Sequence, residues 1–129
     1  MSLIERANTL LLGARMTPPD ALRDQLPEGV TLRSGRLIPW IGGILGRMGD
    51  SAAAVTLRRT IVVNPDVRLT PSLLRHELTH VRQWQQDALF PLRYTAATLR
   101  HGYQDNPYEV EARIAAASPP RNPSIENLS

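Results

Sequence analysis

The residues whose types and spacing could do chemistry are clustered. His76-Glu77-Leu78-Thr79-His80 reads HExxH. On a helix, residues four apart share a face about one turn apart, so both imidazoles can reach a single ion at about 2.0–2.1 Å. Glu77 falls about 100° around the helix from His76, where its carboxylate can meet a water on that ion without itself becoming a ligand. Its expected role is general base. With three His in 129 residues, the pattern arises by chance about three times in a thousand such chains. The plain alternative is a pair of helix histidines hydrogen-bonded into the core or facing solvent.

A catalytic Zn2+ takes three protein ligands and leaves a fourth position open. Cysteine is absent, so the third donor must be His, Asp or Glu. A histidine six residues after His80 is excluded, because that position is Gln86. Downstream, Asn106-Pro107-Tyr108-Glu109-Val110-Glu111-Ala112-Arg113 offers two carboxylates, with 33 residues from His76 to Glu109. Glu109 is favoured, since it shares a helix face with Ala112, Arg113 and Ala116, and the two alanines allow close approach. Its competing role is a capping box with Asn106. For Glu111 the competing role is a solvated helix face, and His101 and Asp105 are weaker candidates. The expected centre is one Zn2+ held by His76, His80 and Glu109, with Glu77 catalytic. An oxyanion formed there needs a further donor, and Tyr94, His101, Tyr103 and Tyr108 all remain open.

Elements must hold these side chains in place. Thr70 can cap a helix whose first turn contains Pro71, and this helix is expected to run to about Gln86. A second is expected over Leu89 to Arg100, ended by Gly102, and a third from the Asn106 cap to about Ala117. Before them, the β-branched run from Ala53 to Val63 predicts one long strand or a hairpin turning at Arg58-Arg59. Val30 to Arg33 can form another strand. Leu3, Ile4, Ala7, Leu10, Leu11 and Ala14 predict an amphipathic helix over Ser2 to Arg15, and Pro19 to Leu26 a further short helix. The stretch Ile38 to Gly46 contains three glycines and reads as an irregular buried loop packing Trp40.

Length and composition limit the rest. The 129 residues, 42% of them hydrophobic, fit one domain over residues 1–117, with 1–50 a helical and irregular N-terminal part, 53–117 the core and 118–129 a loose tail. All fifteen basic residues are arginine, giving a net charge of +3, but they are scattered, so nucleic acid is not an expected partner. No run is long enough to span a membrane, and Glu5 and Arg6 stand where a secretory signal would be apolar. The expectation is a cytoplasmic protein.

HExxH followed by Glu109-Val110-Glu111-Ala112 resembles the gluzincin branch of zinc metallopeptidases, especially its smallest single-domain members. The stretch from Ala54-Val55-Thr56-Leu57 through Thr60-Ile61-Val62-Val63 to Leu73–Gln83 is also similar to metallopeptidase core domains associated with contractile injection systems. The likeness covers roughly residues 53–117. It implies an α+β, minimal zincin-like fold: a short sheet or hairpin packed on a zinc-binding helix and a glutamate-bearing helix. It further implies a protein or peptide substrate lying extended along an edge strand, with His76, His80 and Glu109 matching the ligands and Glu77 the base. Many such relatives have Asp where this chain has Arg113, and that carboxylate supports the first histidine. The rival readings are a non-catalytic, zinc-containing protein-interaction module and an arginine-bearing nucleic-acid binder.

Overall fold

A computed structural model describes residues 2–46 and 49–118, so most of the expected tail, 118–129, lies outside the described residues. The chain is α+β. A four-stranded mixed sheet has the order β1-β2-β4-β3, formed by β1 (Ala14–Arg15), β2 (Thr31–Ser34), β3 (Ala54–Leu57) and β4 (Thr60–Val63). The β1/β2 and β3/β4 pairs are antiparallel, whereas β2 and β4 run parallel with Leu32 opposite Ile61. The run from Ala53 to Val63 is therefore the hairpin, not the single strand. Its turn holds Arg58 at φ 57°, a left-handed conformation that side chains resist and that the register of the two strands enforces.

Three helices carry the site: α3 (Pro71–Gln86), α4 (Phe90–Asp105) and α5 (Pro107–Ala117). Thr70 caps α3 by accepting from the Leu73 amide at 3.1 Å, with Pro71 in the first turn where no amide hydrogen is needed. The core lies between α3 and the sheet, where Leu22, Leu32, Ile61, Val63, Leu69, Leu74 and Val81 pack together. Full burial of side chains such as Ile61 and Leu74 stabilises the fold by about 1.5–3 kcal/mol each. Packing of Leu74 and Val81 thereby fixes the rotation of α3, and with it the direction of Glu77, which lies one turn from each, and of His80 beside them.

Three local expectations are corrected. The helix at the N-terminus, α1 (Leu3–Leu12), ends before Arg15 because Ala14 and Arg15 form β1. None of its residues is buried, so its apolar stripe stays at the surface. The stretch around Trp40 is a helix, α2 (Leu37–Leu45), and Trp40 is 55% exposed. Pro39 occupies its first turn, where proline is tolerated. The glycines serve close approach: a Cβ on Gly43 would lie 2.0 Å from the Asp50 carbonyl oxygen, and one on Gly42 would lie 2.6 Å from Val55 Cγ2. Finally, α4 continues past the expected stop, with a break at Gly102 (φ 80°, ψ 168°). Among the described residues, no helix is long and apolar enough to cross a membrane.

Candidate metal centre

The HExxH motif sits on α3, facing α5 across a tight interface. On α5, Glu109, Ala112 and Ala116 are buried along one face, and the two methyl side chains let the helix backbones come close. Arg75 of α3 donates to the Ala116 carbonyl at 2.7 Å, binding the far end of α5. At the near end, Asn106 is fully buried and caps α5 by accepting from the Tyr108 amide at 3.0 Å. Its side-chain nitrogen donates to Thr98 Oγ1 at 2.9 Å and to the Tyr94 carbonyl at 3.2 Å. One side chain thus locks the start of α5 against α4.

That packing aims Glu109 at both histidines. Its Oε2 lies 2.9 Å from His76 Nε2, and its Oε1 lies 3.1 Å from His80 Nε2. The Tyr94 hydroxyl donates to Oε1 at 2.7 Å. Glu109 does not close a capping box back to Asn106; its carboxylate is used at this cluster. Glu111 lies on the surface and accepts from Arg82 at 2.8 Å, both side chains being about half exposed. His101 and Asp105 are exposed and take no part.

The donor set fits a transition-metal ion. One ligand atom from each of His76, His80 and Glu109 lies within 4.8 Å of the others. Bonds of about 2.1 Å at tetrahedral angles place neighbouring donors roughly 3.4 Å apart, so only small side-chain adjustments are needed. Two imidazoles and one carboxylate suit Zn2+, although other first-row ions accept the same donors.

Glu77 is buried and lines the same cleft as the three donors. Thr56 Oγ1, from β3, donates to its Oε2 at 2.8 Å, while Trp84 Nε1 donates to the Thr56 carbonyl at 3.1 Å. These two bonds tie the outermost strand of the sheet to α3. Burial pushes the Glu77 carboxyl above the usual carboxylate range, against the pull of His80, His76 and Thr56. Burial and the nearby Glu109 carboxylate also push the phenols of Tyr94 and Tyr103 up, so both remain neutral donors. Of the four oxyanion-donor candidates, Tyr94 and Tyr103 line the cleft; His101 and Tyr108 do not.

The cleft measures about 430 Å³. Apart from the four site residues its walls are largely apolar, including Ile44, Leu45, Phe90 and Leu99. The arrangement can concentrate a cation, a proton acceptor and neutral hydroxyl donors at one place in a largely apolar cleft.

Without a metal, His80 and Glu109 pair with each other. Burial lowers the His80 pKa, but the Glu109 hydrogen bond and the charges of Glu77 and Glu109 outweigh it, raising it to about 9. Burial opposes ionisation of Glu109, yet its bonds to His76 and His80 hold its carboxyl well below the usual carboxylate range. The contribution of Glu109 to stability is therefore present above its ordinary pKa of 4.5 and is lost as the pH falls. That of His80 is present below 6.5 and is lost as the pH rises through about 9. Glu77, raised by burial, subtracts stability as the pH rises above its ordinary 4.5 and so deepens the decline toward higher pH. Chelator-treated protein is expected to melt highest between about pH 4.5 and 6.5, with the melting temperature declining toward pH 9. A flat thermal-denaturation profile from pH 5 to 9 would contradict the pairing.

Several contributors escaped the sequence reading. Gln83 Oε1 lies 2.8 Å from His80 Nδ1, and its only sequence signal is a polar residue one turn beyond His80 on the same face. Thr56 carried only its place in an alternating strand. The Asn106-Pro107 pair signals only a cap, and the buried bonds of Asn106 to α4 depend on contacts eight and twelve residues away.

Comparison with known proteins comes down to one segment. No curated protein and no solved structure gives a match. The family model described as eCIS core domain matches residues 49–88. This segment contains the β3/β4 hairpin and all of α3, hence His76, Glu77 and His80, but neither α4 nor the helix bearing Glu109. Over residues 49–88, from the start of the hairpin approach to the end of the motif helix, the chain is similar to the eCIS core domain.

Proposed function

We propose that this protein is a metal-dependent hydrolase of peptide bonds, with Zn2+ as its ion. The observation that carries the proposal is the convergence of His76, His80 and Glu109 within 4.8 Å beside the buried Glu77 in one cleft. His76, His80 and Glu109 would hold the ion. When bound, such an ion supplies Lewis acidity, which makes a water nucleophilic near neutral pH and polarises a substrate carbonyl. Glu77 takes the proton from the attacking water and can return it to the departing amine. The Thr56 hydroxyl holds one carboxylate oxygen of Glu77 still, leaving the other for that exchange. Tyr103, which lines the cleft, would donate to developing negative charge, while Tyr94 keeps Glu109 oriented. β3 ends the sheet, so an extended protein or peptide segment can hydrogen-bond along its outer edge.

A zinc-containing interaction module with little turnover is favoured by one observation. Arg113 donates to the Gln104 carbonyl and supplies His76 with no carboxylate support. Metal analysis of protein purified without chelators, combined with peptide-library cleavage, tests both readings. One Zn2+ per chain and chelator-sensitive cleavage are expected. Absence of bound metal would overturn both readings, and bound metal without cleavage would leave the interaction module.

A further inference from the structure

With Arg113 turned away, the question is what orients the imidazoles. Gln83 is 4% exposed, too buried for water to satisfy its amide. Its Nε2 donates to the Tyr108 carbonyl at 3.1 Å, and its other amide atom lies 2.8 Å from His80 Nδ1. A backbone carbonyl can only accept, so the Gln83 nitrogen must face Tyr108. The oxygen must then face His80. An amide oxygen can only accept, so His80 Nδ1 must carry hydrogen, and its Nε2 is the atom left to donate to Glu109 in the metal-free protein and to offer its lone pair to an ion.

We propose that Gln83 is the positioning residue of the centre: a neutral amide that fixes the tautomer and ring angle of His80 and couples them to the backbone of α5. The proposal rests on the metal reading above. It extends that reading, because one side chain then sets His80 directly and, through Tyr108, the start of the helix that delivers Glu109 one residue later. A carboxylate in the same place would accept from His80 equally well but could not donate to Tyr108 while ionised. The amide serves both partners without adding a charge to a buried site that already contains Glu77 and Glu109.

The test compares wild type, Gln83→Met and Gln83→Glu by competition for Zn2+ against a chromophoric chelator. The His80 Nδ1–H resonance of the Zn2+-loaded proteins is followed by NMR. Methionine has similar length and no amide, whereas glutamate keeps an acceptor for His80. Gln83→Met is expected to bind Zn2+ about 10–100-fold more weakly and to lose the slowly exchanging Nδ1–H signal. Gln83→Glu is expected to retain that signal and to recover only part of the affinity, since it keeps the His80 contact and loses the Tyr108 one. Equal affinity in wild type and Gln83→Met would overturn the proposal. So would loss of the Nδ1–H signal in Gln83→Glu, which keeps an acceptor facing His80. Failure of wild type itself to take up Zn2+ would instead overturn the metal reading on which the proposal stands.

Discussion

Replacing Glu77 by glutamine is expected to leave the bound cation in place and to lower peptide-bond hydrolysis by about 10²–10⁴-fold. Glutamine has the shape of glutamate, and its amide oxygen can still accept from Thr56 Oγ1, so the local packing survives. It cannot accept a proton at neutral pH. The loss should therefore appear in kcat, corresponding to roughly 2.7–5.4 kcal/mol of barrier, with Zn2+ content unchanged by elemental analysis. The same substitution has a second expected effect of opposite benefit. Burial raises the Glu77 pKa, which means that the ionised side chain is disfavoured in the fold. A neutral amide removes that conflict, and the melting temperature should hold or rise. Equal rates of cleavage by wild type and Glu77→Gln would remove Glu77 from the chemistry.

Replacing Glu109 by glutamine is expected to weaken Zn2+ binding by at least about 100-fold, beyond what changing an outer supporting group does. The amide oxygen is a poorer donor than a carboxylate and brings no negative charge to balance the ion. One amide must also present an NH2 group toward either a histidine nitrogen or the Tyr94 hydroxyl, where the carboxylate offered acceptors to all three partners. Glu111→Gln is the matched control. Its carboxylate meets only Arg82 at the surface, and an exposed pair of this kind contributes little. Chelator competition on both variants would decide between the two carboxylates of this helix. An affinity loss in Glu111→Gln with Glu109→Gln unaffected would reverse the assignment.

Arg113 and Gln83 show how a site can depart from a familiar pattern while remaining ordered. The arginine satisfies a backbone carbonyl outside the cleft. Support for an imidazole comes instead from within α3, one turn beyond the motif. Tyr94, and the bonds of Asn106 to Thr98 and Tyr94, add restraint from α4, so Glu109 is held by two helices rather than by its own alone.

Local signals in the sequence were sufficient for the motif helix and for the start of the helix bearing Glu109. Thr70-Pro71 and Asn106-Pro107 set helix starts because capping chemistry is confined to a few adjacent residues. HExxH placed two imidazoles on one face for the same reason, since helical periodicity needs no knowledge of the fold. The glycine-rich stretch before the hairpin misled, because the cost of glycine in a helix is local while its compensation is not. Gly43 is required by the Asp50 carbonyl, and Gly42 by Val55. Likewise, propensity alone could not tell a strand from a hairpin at Arg58-Arg59. The sheet register settled it by holding Arg58 in a conformation it would not choose alone.

The sequence by itself determined the chemical vocabulary of this protein: two imidazoles and a carboxylate on one helix, two further carboxylates on another, and no thiols. Only the tertiary structure decided which of those two carboxylates turns inward, how Gln83 aims His80, and which tyrosine touches Glu109. Those choices depend on the separation and rotation of packed helices. They are set by small buried side chains and by hydrogen bonds between residues distant in sequence, and neither composition nor periodicity encodes them.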